Sequence, residues 1–240
     1  MFGRNSTEFC FSRKLGTEYA RNKVVKKIVV EESFKLPVAV LGSEVAVSLA
    51  EAKTEIFRKS IHFLIGITPA LAALNYSFTI VLLVAGTFAY TATEILRLYG
   101  IRVPLISTLT QMASRPRDSQ GFVLGPVTLA LGALIALTCF SPIAASIGIY
   151  ALAFGDGFAS LVGKLYGRHR PALLFGKSIE GSTACFAAVF VATYMVSHRF
   201  VVAFVAAFIA TATEALPLED YDNVALPLIV GLAVQTIFFA

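Results

Sequence analysis

Charge is the scarcest thing in this sequence. Asp, Glu, Lys and Arg together make up 15% of the 240 residues, against 57% apolar residues, and the mean hydropathy is +0.76. In an ordinary soluble domain about a quarter of the residues are charged, so that class is excluded. The few charges are crowded into short segments, and the runs between them approach the length needed to cross a bilayer. Cysteine is nearly absent as well: Cys10, Cys139 and Cys185 lie far apart, with neither CxxC nor Cys/His spacing, which argues against a disulfide framework or a zinc site and leaves them as reduced filler. The first 30 residues are basic and polar and lack an apolar core of about 7 to 15 residues, which predicts no cleavable signal peptide and insertion from an internal helix. A nucleotide-binding P-loop is missing too. The GKS at 176–178 would need a glycine five residues before Gly176, where Pro171 stands, and no strand pattern precedes it.

What is present is a series of apolar runs of roughly 17 to 22 residues. They predict an all-α, polytopic membrane bundle of seven helices at 60–76, 77–97, 121–140, 142–165, 179–197, 199–216 and 223–240. The stretch from Pro37 to Ala50 is apolar but carries Glu44 between charged flanks and reads as surface-lying, or as a weak eighth span. Cytoplasmic loops are enriched in Lys and Arg. Eleven of the twenty precede the first span, four lie in the 97–120 loop and four in the 164–178 loop, leaving only Arg199 for the other face. This asymmetry predicts a cytoplasmic N-terminus. The expected division is a basic cytoplasmic segment, 1–57, and a transmembrane domain, 58–240.

Ionisable groups at membrane depth cost several kcal/mol and point to function. Glu94, Asp156 and Glu214 qualify, all toward the cytoplasmic ends of their helices. Glu94 precedes Arg97 by three residues, so a local ion pair competes with a site role. Asp156 lies between Gly155 and Gly157, which would let a helix or a ligand approach closely, and it shares a helical face with Ser160 and Lys164. The loop GKSIEGS, 176–182, opens a helix with a lysine, two hydroxyls and two glycines, a candidate phosphate cradle because free N–H groups at a helix start attract anions. The competing reading of this basic stretch is an anchor on anionic lipid. FRKSIH places Arg58 and His62 on one face of the first span; interfacial snorkelling would account for Arg58 and Lys59, less well for His62. EDYDN, 219–223, offers oxygen ligands of the kind that suit magnesium. Phosphate-attracting donors and carboxylates on one face are the layout of phosphoryl transfer.

RKSIH at 58–62, Glu94 with Arg97 in EILR, GDGFASLVGKLYG at 155–167, KSIEGS at 177–182, Glu214, and Asp222–Asn223 followed by Pro227 together resemble the polyprenol kinase family, over roughly Arg58 to the C-terminus. The resemblance implies an integral membrane enzyme that moves the γ-phosphate of CTP onto a lipid alcohol. The short chain makes phytol, another short prenol or diacylglycerol the expected acceptor. Catalytic roles are expected for Asp156, Lys177 and Glu214. Lys164, Ser178, Glu180, Gly181, Ser182, Asn223, Arg58 and His62 are expected to contact nucleotide or phosphate, and Asp156, Asp222 and Glu94 to hold Mg2+. The expected partners are CTP, the lipid alcohol and the bilayer, with no nucleic acid. The site is expected on the cytoplasmic face of a bacterial inner membrane, or of an ER or plastid membrane. The related phosphatidate cytidylyltransferases use CTP on lipids too, but their long histidine- and aspartate-rich signature is missing here. A small transporter, with carboxylates forming an ion path, and a structural protein that binds anionic lipid remain the non-enzymatic alternatives.

Overall fold

The computed structural model of the chain describes residues 53–101, 103, 110 and 121–239. Most of the basic segment, with the apolar stretch 37–50 and Cys10, lies outside the described residues. Among the described residues all regular structure is helical. Helix α1 spans 53–65 and so runs through the expected boundary at residue 57. It is followed by α2 (Thr68–Leu74), α3 (Tyr76–Leu98), α4 (Gly125–Cys139), α5 (Pro142–Tyr150), α6 (Gly157–Leu165), α7 (Ile179–Ser197), α8 (Phe200–Glu214) and α9 (Asp222–Phe239).

Each predicted run contains a helix, but the first is divided. Pro69 has no N–H to donate and its ring would crowd the carbonyl four residues earlier. The chain therefore tightens at Gly66 and Ile67, whose N–H groups bond the Phe63 and Leu64 carbonyls at 3.1 Å, and starts again as α2. Asn75 separates α2 from α3, its Oδ1 accepting from the Phe78 N–H at 3.0 Å, a side-chain N-cap.

Helices α5 and α6 form one continuous rod, Pro142–Leu165, joined by a π-helical segment at Ala151–Asp156. A π turn inserts an extra residue and re-aims the side chains after it, a device found often at functional sites. Here its last residue is Asp156. Among the described residues three helices are long and apolar enough to cross a membrane, and the rod is the most enclosed of them, 61% buried over its apolar window, against 11% for Tyr76–Leu98 and 22% for Ile179–Ser197.

Small residues let the helices approach closely. A side chain at Gly148 would meet the Pro227 carbonyl, and one at Gly132 would meet the Asn223 carbonyl, so α4 and α5 clamp the first turns of α9. Ala206, Ala207 and Ala210 of α8 are fully buried in one cluster with Cys185 and Val189 of α7 and Leu226 and Val230 of α9. A second cluster joins Leu83 of α3 to Ala133, Ala136 and Leu137 of α4 and Ile149 of α5. Large apolar side chains instead face outward, among them Phe78, Val81 and Phe88 on α3 and Phe204 and Phe208 on α8. Apolar residues outside and charged residues buried is the arrangement that a lipid surrounding favours.

Candidate active site

The π segment ends on a carboxylate enclosed by α1. Asp156 Oδ2 takes an ion pair and hydrogen bond from Lys59 Nζ. His62 Nδ1 lies 3.1 Å from the same oxygen, outside hydrogen-bond alignment, and Ser160 Oγ is 3.4 Å from Oδ1. Lys59 and Asp156 are each 2% exposed. Two opposite charges this deep must hold each other, because the cost of removing either from water exceeds what solvent returns. The glycines beside Asp156 do not open onto a ligand. A side chain at Gly155 would strike Val189 of α7, and one at Gly157 would strike Phe63 of α1; the close approach that they permit is helix packing.

Asp156 borders a cavity of about 460 Å³. Four cations line it, Arg58, Lys164, Arg170 and Lys177, and so do four carboxylates, Glu55, Asp156, Glu214 and Asp222. Their formal charges balance. Burial alone would raise Glu55, but the charge and hydrogen bond of Arg58, at 2.5 Å, with the nearby charges of Lys59 and Lys164, hold its carboxyl below the usual range. Lys164 Nζ is 3.9 Å from Glu55 Oε2. Lys177 Nζ bonds Glu214 Oε1 at 2.7 Å and also the Glu214 backbone carbonyl, tying the 166–178 loop to the end of α8. Glu214 Oε2 and Ser182 Oγ are buried without a hydrogen-bond partner, in two residues that line this cavity.

The loop carrying Lys177 is fixed by Arg170, which donates to the Gly176 carbonyl at 2.7 Å and to the Gly163 carbonyl at 2.8 Å. Phe175 and Gly176 both have positive φ, 49° and 90°, which glycine tolerates and phenylalanine rarely adopts. The start of α7 differs from a cradle of free N–H groups. Ser178 Oγ caps the Gly181 N–H at 3.1 Å, and the Ile179 N–H bonds the His169 carbonyl at 2.9 Å. Anion attraction therefore rests on the side chains of Arg58, Lys164, Arg170 and Lys177. Gly181 serves contact between α6 and α7, since a side chain there would meet the Ala159 carbonyl.

Of the residues expected from sequence, Asp156, Lys177, Glu214, Arg58, Lys164, Ser178, Gly181, Ser182 and Asp222 line this cavity. His62 and Asn223 line a smaller one that adjoins it at Arg58, Asp156 and Asp222. Two residues are elsewhere. Glu94 holds Arg97 through two bonds of 2.9 and 2.7 Å and accepts the Val123 N–H at 2.9 Å. Glu180 turns to His169, 2.7 Å from its Nδ1, and lines neither cavity. Sequence reasoning missed Lys59, Glu55 and Arg170. For Lys59 a signal exists: it stands three residues before His62 and seven before Gly66, one helical stripe facing the rod.

Mg2+ is commonly held by one or two carboxylates and the substrate's own phosphates. Asp156 and Asp222 fit that requirement: they line both cavities and are near enough to interact electrostatically. Among the described residues no group of three or more His, Cys, Asp or Glu side chains forms a closed metal cage.

No family model matches the chain, and no solved structure matches it. Curated proteins do. A phytol kinase of Synechocystis sp. is 31% identical over 156 residues, covering 65% of this chain and 64% of that protein. An uncharacterized protein of Methanocaldococcus jannaschii is 29% identical over 138 residues, 55% of this chain and 67% of that protein. A probable chloroplastic phytol kinase 1 of Oryza sativa subsp. japonica is 26% identical over 162 residues, 58% of this chain and 50% of that protein. The matches thus span less than two thirds of either phytol kinase. With the motifs gathered around Asp156, this likeness supports the assignment of the chain to the polyprenol and phytol kinase family.

Proposed function

We propose that the chain is a membrane-embedded lipid kinase that transfers the γ-phosphate of CTP, with Mg2+, to the hydroxyl of a lipid alcohol: phytol, another prenol or diacylglycerol. In this reading the bundle crosses the bilayer seven times with its N-terminus and the cavity on the cytoplasmic side. The observation that carries the reading is the cavity at Asp156, where four cations from three parts of the chain face four carboxylates. A bare triphosphate would find no net positive charge there. A magnesium nucleotide brings its own neutralising ion, for which Asp156 and Asp222 offer oxygen ligands.

In the transfer the acceptor oxygen bonds the γ-phosphorus, the bond from that phosphorus to the bridging oxygen breaks, the nucleoside diphosphate leaves and the hydroxyl proton is released. Arg58, Lys164, Arg170 and Lys177 hold phosphate oxygens, and Ser182 Oγ donates a further bond. Lys59 holds Asp156 in place through their ion pair. Asp156 and Asp222 would hold Mg2+, which when bound offsets the charge that develops on the phosphates. Most of the rate then comes from positioning and from charge arranged in advance.

The test supplies purified protein with CTP labelled separately at the α- and γ-phosphate, together with phytol, a short prenol and diacylglycerol. Label from the γ position in the lipid, dependent on Mg2+, is the expected result. Label from the α position would make the chain a cytidylyltransferase instead, and no transfer to any alcohol would contradict the kinase reading.

A further inference from the structure

Two cavities meet at Asp156, and their linings differ. The larger is walled by charge. The smaller, of about 40 Å³, also has charged walls, Lys59 and Asp220 beside the residues it shares with the larger, but adds an apolar side built from Ile61, Val123, Pro126 and Leu129, with His62 and Asn223 in its lining. By size it takes a few waters or the hydroxymethyl end of an alcohol; a ribose or a triphosphate is too large for it.

Asn223 is the informative residue. Its Nδ2 donates to Thr128 Oγ1 at 2.9 Å and to the Gly125 carbonyl at 3.4 Å, which orients the amide. Its Oδ1 is left buried with no partner in a residue 3% exposed. A buried acceptor with its hydrogen bond unmade costs about 1–3 kcal/mol. A hydroxyl donates such a bond, whereas a phosphate oxygen at neutral pH cannot. His62 Nδ1, likewise buried and outside hydrogen-bond alignment, lines the same cavity.

The second observation is the junction. Arg58, Asp156 and Asp222 border both cavities. A phosphoryl group held there from the larger cavity would face an oxygen presented from the smaller one, as an in-line displacement requires. The outer surfaces of α1 and α4 supply what an alcohol's tail needs, with Leu64, Leu124 and Leu131 exposed.

We infer that the small cavity between α1, α4 and the start of α9 receives the hydroxyl end of the lipid acceptor, with Asn223 Oδ1 accepting its O–H and Leu129 and Ile61 packing on the adjoining carbons. The inference rests on the kinase reading and departs from the expectation drawn from the sequence in one respect: Asn223 contacts the acceptor, not the nucleotide.

A short prenol carrying a diazirine next to its hydroxyl-bearing carbon, added to the full-length protein in lipid nanodiscs and photolysed, tests the site without turnover. Crosslinks at 61–62 and 123–129 are expected; crosslinks confined to 164–182 would overturn the inference. Kinetics provide the second arm. Leu129→Trp should raise KM for the alcohol about tenfold or more, the scale on which apolar pockets discriminate, and leave KM for CTP within about twofold of wild type. A parallel rise in both constants, or no change in either, contradicts the assignment. If Leu129→Trp does not fold, the crosslinking of the wild-type chain still decides. Crosslinks in the small cavity without γ-label in any lipid would support the binding site and sink the kinase reading, so the two failures are distinct.

Discussion

Asp156 and Glu94 are both carboxylates buried to within 2% of complete enclosure, yet they are used in opposite ways. Glu94 is saturated: Arg97 grips both oxygens from one turn along, and the Val123 N–H donates a further bond to Oε1. Arg97 also reaches the Gly121 carbonyl at 2.6 Å, so the pair clips the end of α3 to the segment entering α4. Asp156 has its charge balanced by Lys59, 97 residues away, and keeps Oδ1 lightly engaged beside a cavity. Burial alone does not mark a functional carboxylate. What separates the two is unspent bonding capacity next to open space.

The largest effect should come from Asp156→Asn. Turnover should fall by about 100-fold or more, the scale of losing one positioned charged group. The same change strands Lys59 as a buried, unpaired cation, so stability should fall by roughly 3–5 kcal/mol. The double variant Asp156→Asn with Lys59→Met separates the two: thermal unfolding in detergent should recover, and γ-label transfer should not. Recovery of both would mean that the pair only packs helices.

Glu94→Gln should show the reverse pattern. It weakens charge-assisted bonds to Arg97 and costs about 1–3 kcal/mol of stability, with kcat per folded molecule within a few-fold of wild type. A collapse of turnover without unfolding would return Glu94 to the site and undo the contrast.

Lys164→Gln comes next. Its partner Glu55 is 3.9 Å away and Lys164 itself is 41% exposed, so the ion pair adds about 0–1 kcal/mol to stability. Its value lies with the ligand: KM for CTP should rise about tenfold, equivalent to about 1.4 kcal/mol, with Tm unchanged. Glu180→Gln should have the smallest effect, because Glu180 faces His169 at the surface; nucleotide KM should stay within about twofold. A large rise would place Glu180 in the nucleotide site after all.

The contrast also explains what the sequence could and could not reveal. Long apolar runs made the helices visible, since a span is a one-dimensional signal of length and composition. Pro69 is the one trace of the break before α2 in the sequence, and within an apolar run of spanning length a proline does not by itself end a helix. The π segment leaves no periodic trace, because one extra residue in a uniformly apolar stretch changes no pattern. Glu94 and Arg97 are three residues apart, and their pairing could be anticipated on those grounds. Lys59 could not be assigned in the same way, as its partner is distant in sequence and a lysine near a span's end also suits snorkelling. GKSIEGS was found by composition, whereas the capping that occupies its N–H groups depends on His169 folding back.

The most direct measurement is γ-label transfer from CTP to a lipid alcohol, normalised to folded protein, for Asp156→Asn/Lys59→Met and Glu94→Gln side by side. The account predicts a stable protein with transfer cut by about 100-fold or more in the first, and a less stable protein with near-normal transfer in the second. Equal losses in both, or near-normal transfer in the first, would contradict it.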